Sequence, residues 1–301
     1  MQVVRMHQTG GPEVLQLEQA DTPRPADGEV LVRVRAVSIN PIDWKYRRGM
    51  QPIELPAVLG SDVSGTVEVS RAEGFAEGDE VFGLAAGAYA ELAVASAGAL
   101  AHKPAGISHE QAAAIPVAGL TAWQALFDRG GLQAGQSALV AGAAGGVGHF
   151  AVQLAHNAGA RVVGTGSGRN REFVLGLGAA QYIDYTSEDV AAAASEIDVA
   201  FDTVGGETTP SLIGVLRTGG ILVTIAAAPP ERAAAERGVR AELLSMSPNA
   251  EQLARIAQLV ADGTVHVEIA RTFSLADVGA AHALSEEGHT RGKLVLILEP
   301  S

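Results

Sequence analysis

The stretch ALVAGAAGGVGHFAVQLAHNAGARVVGTGSGRN, residues 138–170, permits few folds. An apolar run ends in closely spaced glycines, a helical segment follows, and a second apolar run closes the unit. That order reads as strand, tight turn, helix and strand. Two strands joined through a helix are parallel, and parallel sheets are covered on both faces. The same alternation continues downstream. Strands are predicted at 137–142, 161–166, 181–184, 197–202, 220–226 and 238–245, with helices starting at Gly146, Asn170, Ser187 and Thr208. This is the pattern of an α/β chain with a doubly wound parallel sheet.

The residues before this region follow another rhythm. EVLVRVRAVSI (29–39) alternates with a period of two, and DVSGTVEVS (62–70) and GAYAELAVA (87–95) read as similar strands. Turn clusters separate them, so the first hundred residues predict a barrel-like β domain. Residues 108–127 are helical in spacing, broken at Pro116. The final fifty residues predict a helix over 248–261, a strand over 264–271, a helix over 274–287 and a strand over 292–298. These are expected to rejoin the β domain, making it discontinuous in sequence. Residues 229–238, PPERAAAERG, read as an exposed turn and helix.

The chain has 301 residues, enough for two domains, and is 47% apolar, enough for a large core. No apolar run reaches the ~18–20 residues that span a bilayer. The first residues lack the layout of a signal peptide. The expectation is a soluble, cytoplasmic protein with no membrane partner. The absence of cysteine excludes disulfides, thiol nucleophiles and Cys-ligated zinc. A formal charge of −13 would repel a polyanion, so no nucleic acid is expected as partner.

The glycine turn predicts a dinucleotide site. The first amides of the following helix lack intrahelical partners and, with the macrodipole, suit a pyrophosphate. The residues concerned are Gly142, Ala144, Gly145, Gly146, Val147 and Gly148. Gly145 admits a close approach, Gly148 lets the helix sit on the strand, and Gly142 takes the tight turn because Ala143 holds the position of the usual first glycine. The second strand ends in Gly166, where an acid would bind the ribose of NAD. Ser167, Arg169 and, after the next strand, Tyr185 offer contacts to a 2′-phosphate instead. The reading favours NADP(H) over NAD(H).

The chain also resembles a known group. NPIDWK (40–45), LGSDVSGTV (59–67), GDEVFG (78–83), AGLTAWQAL (118–126), AAGGVG (143–148) and RGKLVLIL (291–298) occur in the order and spacing of the medium-chain dehydrogenase/reductase superfamily. They are similar to its zinc-independent quinone oxidoreductase branch, which holds the zeta-crystallin-like proteins and enone reductases. The resemblance implies a GroES-like β-rich catalytic domain over 1–112 and 250–301 and a Rossmann NADP(H)-binding domain over 113–249. It implies a cleft in which cofactor and substrate meet, and a homodimer formed through the edge strand 238–245.

Zinc relatives carry Cys where Asn40 stands and Gly-His-Glu where Gly60-Ser61-Asp62 stands. A catalytic zinc needs three converging ligands, so no metal is expected. The histidines, His282 and His289 among them, read as surface or capping residues. What remains is hydride transfer from NADPH to a quinone or an α,β-unsaturated carbonyl. The resemblance places NPIDWK beside the nicotinamide. Asn40 is a candidate donor to substrate or cofactor. Lys45, oriented by Asp43, is a candidate proton donor, or the two form a local pair closing a turn. Tyr46 and Tyr89 are further candidates, each read more readily as a half-exposed aromatic. Thr121, Val204 and Arg291 are expected at the cofactor, with helix packing or capping as alternatives for Thr121 and Arg291. Two other functions stay open: a non-catalytic, crystallin-like NADPH-binding protein, and a dedicated biosynthetic ene-reductase.

Overall fold

The computed structural model of the chain describes residues 1–299. The last two residues of the segment 250–301 lie outside the described residues. Two compact units divide the chain: Met1–Val117 with Pro248–Asp262 and Val267–Ser301, and Ala118–Ser247 with Gly263–His266.

The first unit is built on the strand Glu29–Ile39. It pairs antiparallel with Asp62–Ser70, Leu92–Ser96 and Lys293–Ile297. Ile269–Ser274 then adds in parallel to Lys293–Ile297. The register sets Leu294 opposite Ile39 and Val295 opposite Ser38, so the last strand enters a sheet made by the first hundred residues. Apolar side chains from both ends of the chain share one core, including Val30, Val32, Val63, Val67, Leu294 and Leu296. Each fully buried Val or Leu there contributes roughly 1.5–3 kcal/mol of transfer free energy.

Two predicted strands change. Of GAYAELAVA only the end is strand, over Leu92–Ser96. Gly87 turns with φ +65°, and Tyr89 enters the core with no exposure instead of standing half-exposed. The strand predicted over 264–271 begins at Ile269. Upstream of it, the Gln153 side chain binds the backbone of His266 at both N (2.7 Å) and O (2.9 Å). A side chain thus satisfies groups that a neighbouring strand would otherwise take.

In the second unit we label the strands β1 (Ser137–Ala141), β2 (Arg161–Gly166), β3 (Gln181–Asp184), β4 (Ile197–Asp202), β5 (Leu216–Thr224) and β6 (Arg240–Leu243). All pairs are parallel, in the spatial order β3-β2-β1-β4-β5-β6. The order reverses between β1 and β4, the switch point at which open α/β sheets bind ligands. Thr208–Val215 starts where predicted. The other three helices start later, at Gly148, Arg171 and Val190. The delays have local causes: a 3-10 turn over Gly168–Asn170, and an N-cap in which Asp189 accepts from the Ala191 amide at 2.9 Å. The residues 229–238 contain the helix Glu231–Glu236. Among the described residues no helix is long and apolar enough to cross a membrane.

Candidate functional site

The glycine turn lies at the carboxyl end of β1. Gly142 leaves the strand at φ +70°, and a Cβ there would stand 2.5 Å from Thr203 Oγ1. Both facts require glycine. Ala143 stays out of the left-handed region and donates its amide to Thr165 O at 3.0 Å, extending the β1–β2 pairing. Its methyl is accommodated because Gly164 has none: a Cβ at 164 would lie 3.1 Å from Ala143 Cβ. Gly145 N closes the turn on Gly142 O at 2.9 Å. At Gly148 a Cβ would lie 2.1 Å from Gly142 O, so only glycine lets the helix Gly148–Asn157 start this close. Ala144 is buried, whereas Gly145, Gly146 and Val147 stand half-buried before the first helical turn. Amides in that position carry the positive end of the helix dipole toward an anion.

The carboxyl ends of β4 and β5 add a second wall. The fully buried Asp202 accepts from the amides of Val204 (3.0 Å) and Gly205 (2.8 Å) and from Thr209 Oγ1 (2.7 Å). This holds the turn 203–206 with Val204 56% exposed. A Cβ on Gly205 would lie 2.6 Å from Ala226 Cβ, so the VGG and IAAAP segments are neighbours. Gly142, Thr203, Val204, Gly205 and Ala226 thus converge at the switch point.

At the ends of β2 and β3 the structure adds an acid that the sequence reading did not weigh. Ser167 is half-buried, and Arg169 and Tyr185 are exposed. But the strand end is not free of acid. Gly166 pairs with Asp184 on β3, and a Cβ on Gly168 would lie 2.4 Å from Asp184 Oδ2. Hydrogen bonds from Thr186, with smaller help from Ser187 and the Gly168 amide, hold this carboxyl below its usual range.

The first unit holds a buried polar network at the start of the helix Pro41–Arg47. Asp43 Oδ2 accepts from the Asn40 amide at 2.8 Å and from the Tyr89 hydroxyl at 3.0 Å. Asn40 turns its side chain inward: Nδ2 donates to Asp62 Oδ2 at 2.8 Å, and Oδ1 accepts from Lys293 Nζ at 2.6 Å. Asp62 Oδ1 accepts from the Val117 amide at 2.9 Å, and Lys293 Nζ lies 3.7 Å from Asp62 Oδ2. On the other side, Tyr89 OH meets His282 Nε2 at 2.9 Å. Beyond it the fully buried Arg47 pairs with Glu286 at 2.5 Å. Gly60, at φ +88°, makes room for Tyr89, since a Cβ there would lie 2.5 Å from the ring.

Burial dominates the electrostatics. It pushes the Asp43 carboxyl up to about 7, against lowering by the Asn40 amide and Tyr89. It raises Asp62 and lowers Lys293, each opposed by the other's charge. It pushes His282 down to about 3, so this imidazole is neutral. When Tyr89 donates to an ionised Asp43, His282 must donate from Nε2. Its Nδ1 is then a bare acceptor, and that atom is buried without a partner among the described residues.

Of the residues singled out from sequence, Asn40 and Asp43 enter the network. Lys45 does not: it is half-exposed, with Nζ 5.8 Å from the Trp44 ring centroid, and Asp43 spends Oδ2 on Asn40 and Tyr89 rather than orienting it. Thr121 is buried on the helix Pro116–Trp123. Arg291 pairs with Glu268 at 3.2 Å in the first unit. His282 is fully buried, not a surface or capping residue. Tyr89 is named in the sequence only as a further candidate and His282 only as a surface or capping residue, while Lys293 is not singled out, so the cluster they form with Asn40 and Asp43 is not legible there. A lysine opening the apolar run KLVLI was the one available signal.

A metal is raised by one of the families the chain matches. Among the described residues no group of three or more His, Asp or Glu side chains is placed to hold one. The residues around Asp62 do not fit a catalytic zinc: its oxygens are engaged by Asn40, Val117 and Lys293.

Residues 26–105 match the alcohol dehydrogenase GroES-like domain, and 177–296 match the zinc-binding dehydrogenase family. The chain is 36% identical to a chloroplast envelope quinone oxidoreductase homolog of Arabidopsis thaliana, over 95% of each chain. Among solved structures, the quinone oxidoreductase from Coxiella burnetii superposes with a TM-score of 0.94 at 36% identity, covering 99% of both chains. Escherichia coli quinone oxidoreductase, solved with NADPH, superposes with a TM-score of 0.91 at 31% identity, covering 99% of this chain and 100% of that one.

Proposed function

This chain belongs to the quinone oxidoreductase branch of the medium-chain dehydrogenase/reductase superfamily, and from that premise we propose that it reduces quinones or α,β-unsaturated carbonyls with NADPH and without a metal. The observation that carries the reading is the turn from Gly142 to Gly148, in which two glycines are required by close contact and a helix begins over the switch point. These residues fit a pyrophosphate. Ser167, Arg169 and Tyr185 would hold the 2′-phosphate, and the turn at Val204 with Ala226 would flank the nicotinamide half. The chain binds NADP(H), as does the solved Escherichia coli relative.

When bound, NADPH supplies a hydride. An enone accepting that hydride at its β-carbon would need its oxygen stabilised and a proton supplied at its α-carbon. The protein's part is to orient the acceptor and stabilise the oxygen that becomes negative. Asn40 is the donor for that oxygen. Asp43 fixes the Asn40 main chain, and the buried network holds both against rearrangement.

The strand β6 ends the sheet order and carries Leu243 54% exposed, which supports a homodimer through this edge. The test of function is to mix the protein with NADPH and a panel of quinones and enones and follow the loss of reduced-nicotinamide absorbance. Turnover of at least one acceptor supports the reading. NADPH binding by calorimetry without turnover favours a non-catalytic binding protein. Turnover of one enone alone favours a dedicated biosynthetic ene-reductase.

A further inference from the structure

Resting on that reading, we propose that Lys293 is a positioning residue: with Asp62 it clamps the Asn40 amide, leaving one Nδ2 hydrogen as that amide's single uncommitted donor for the reacting oxygen. The contacts define the clamp. An ammonium has only donors, so it fixes Oδ1 on its own side at 2.6 Å. A carboxylate has only acceptors, so it takes one Nδ2 hydrogen at 2.8 Å. The amide therefore cannot flip. Its plane is set by two partners that arrive from different strands, Asp62 from Asp62–Ser70 and Lys293 from Lys293–Ile297. Asn40 itself is 2% exposed, Lys293 4% and Asp62 0%.

Energetics argue that this triad serves more than packing. Burying an ammonium and a carboxylate carries a desolvation cost that their attraction only partly offsets, and an apolar pair of equal volume is often as stable. Lys293 opens a strand whose next residues, Leu294, Val295 and Leu296, are all core. A fourth apolar residue would suit the fold. The ammonium does what an apolar side chain cannot: by pulling on Oδ1 it polarises the amide and strengthens the Nδ2–H as a donor. Lys45, half-exposed over Trp44, makes no such contact.

The test compares Lys293→Met, Lys293→Arg, Asn40→Ala, the pair Asn40→Ala/Lys293→Met and the charge-balanced pair Asp62→Asn/Lys293→Met. Parent turnover is measured first, because its absence refutes the functional reading and not the clamp. For a turning-over parent, Lys293→Met is expected to lower kcat and kcat/KM together by tenfold or more, with the NADPH Kd within threefold of the parent. Lys293→Arg is expected to recover part of the loss. In the Asn40→Ala background, Lys293→Met should cost less than a further twofold, since both act through one amide. The charge-balanced pair guards against misfolding of the single variant. If it folds and turns over at the parent rate, the ammonium is dispensable and the proposal fails; additive losses at Asn40 and Lys293 defeat it as well. A crystal structure of whichever Lys293→Met form folds decides the clamp without any activity. A rotated or displaced Asn40 amide supports it, and an unchanged amide overturns it.

Discussion

Lys293 Nζ donates to Asn40 Oδ1 across 2.6 Å, though 253 residues separate the two in sequence. The contact exists because Leu294 pairs with Ile39, which carries Lys293 to the residue that follows that strand. Its counter-ion Asp62 comes with no exposure at all.

The stability of the first unit should depend on that ion pair being complete. Lys293→Ala leaves Asp62 buried without its counter-charge, and breaking a buried pair on one side costs about 3–5 kcal/mol. Urea denaturation at neutral pH is expected to show a loss of this order. Asp62→Asn/Lys293→Met should recover most of it. A Lys293→Ala protein within about 1 kcal/mol of the parent would mean that Asp62 takes up a proton at little cost.

Asp43 and His282 are joined through Tyr89 and should bend the pH–stability curve in opposite directions. Asp43 is raised from 3.8 to about 7, so the folded state takes up its proton first. Its contribution is full below about 4 and is lost as pH rises through about 7. His282 is lowered from 6.5 to about 3, so its contribution is full above about 6.5 and is lost as pH falls toward 3. Over the same window the two slopes oppose each other. Asn40, Asp62 and Lys293 also face Asp43, and Arg47 and Glu286 face His282. Asp43→Asn is expected to unmask a stability that rises from pH 4 to 7, and His282→Gln one that falls. Denaturant midpoints at four pH values check this. Parallel curves for parent and both variants would remove the assignment.

The turn at Gly148 should tolerate no side chain. Its Cβ would lie 2.1 Å from Gly142 O and 2.9 Å from Ala143 Cα, both backbone atoms that cannot step aside. Gly148→Ala is expected to weaken NADPH at least tenfold by calorimetry and to lower Tm. At Gly145 a Cβ would meet only Gly142 O, at 3.2 Å, so Gly145→Ala should lower Tm less. Equal melting temperatures for the two variants would contradict the geometry.

Much of this was legible in the sequence, and unevenly. Periodicity located Glu29–Ile39, Asp62–Ser70 and all six parallel strands, because apolar alternation and strand–helix spacing are local properties. It failed at GAYAELAVA, where the period of two hides a turn at Gly87 that delivers Tyr89 to Asp43. The glycine roles at 142 and 148 were readable from position alone. The site in the first unit was half readable. NPIDWK announced Asn40 and Asp43, but their partners Lys293 and His282 are set by strand register and helix packing, which no local window encodes. Lys45 drew attention by proximity in sequence. The lysine that reaches Asn40 comes from the other end of the chain.

The choice between NADPH and NADH should depend on Asp184. This carboxylate stands beside Gly168, next to the residues that would hold a 2′-phosphate, and it is held by Thr186 Oγ1 at 2.7 Å and Thr186 N at 3.0 Å. A 2′-phosphate carries nearly two negative charges at neutral pH, so a fixed carboxylate nearby repels it, whereas the free hydroxyl of NADH accepts no such penalty. Arg169 on the adjoining turn offers the opposite charge. The preference for NADPH is then a contest between two side chains. Asp184→Asn keeps an acceptor for Thr186 while removing the charge, and is expected to tighten NADPH about threefold to tenfold with NADH nearly unchanged. Arg169→Ala should do the reverse, weakening NADPH tenfold or more and leaving NADH within about twofold. Charges near the protein surface are screened by salt, so both effects should shrink between low salt and ~0.5 M salt. Calorimetric titration of each variant with each coenzyme at two salt concentrations checks all of this. Should Asp184→Asn weaken NADPH and NADH alike, the carboxylate is serving the 184–187 turn rather than the choice of coenzyme.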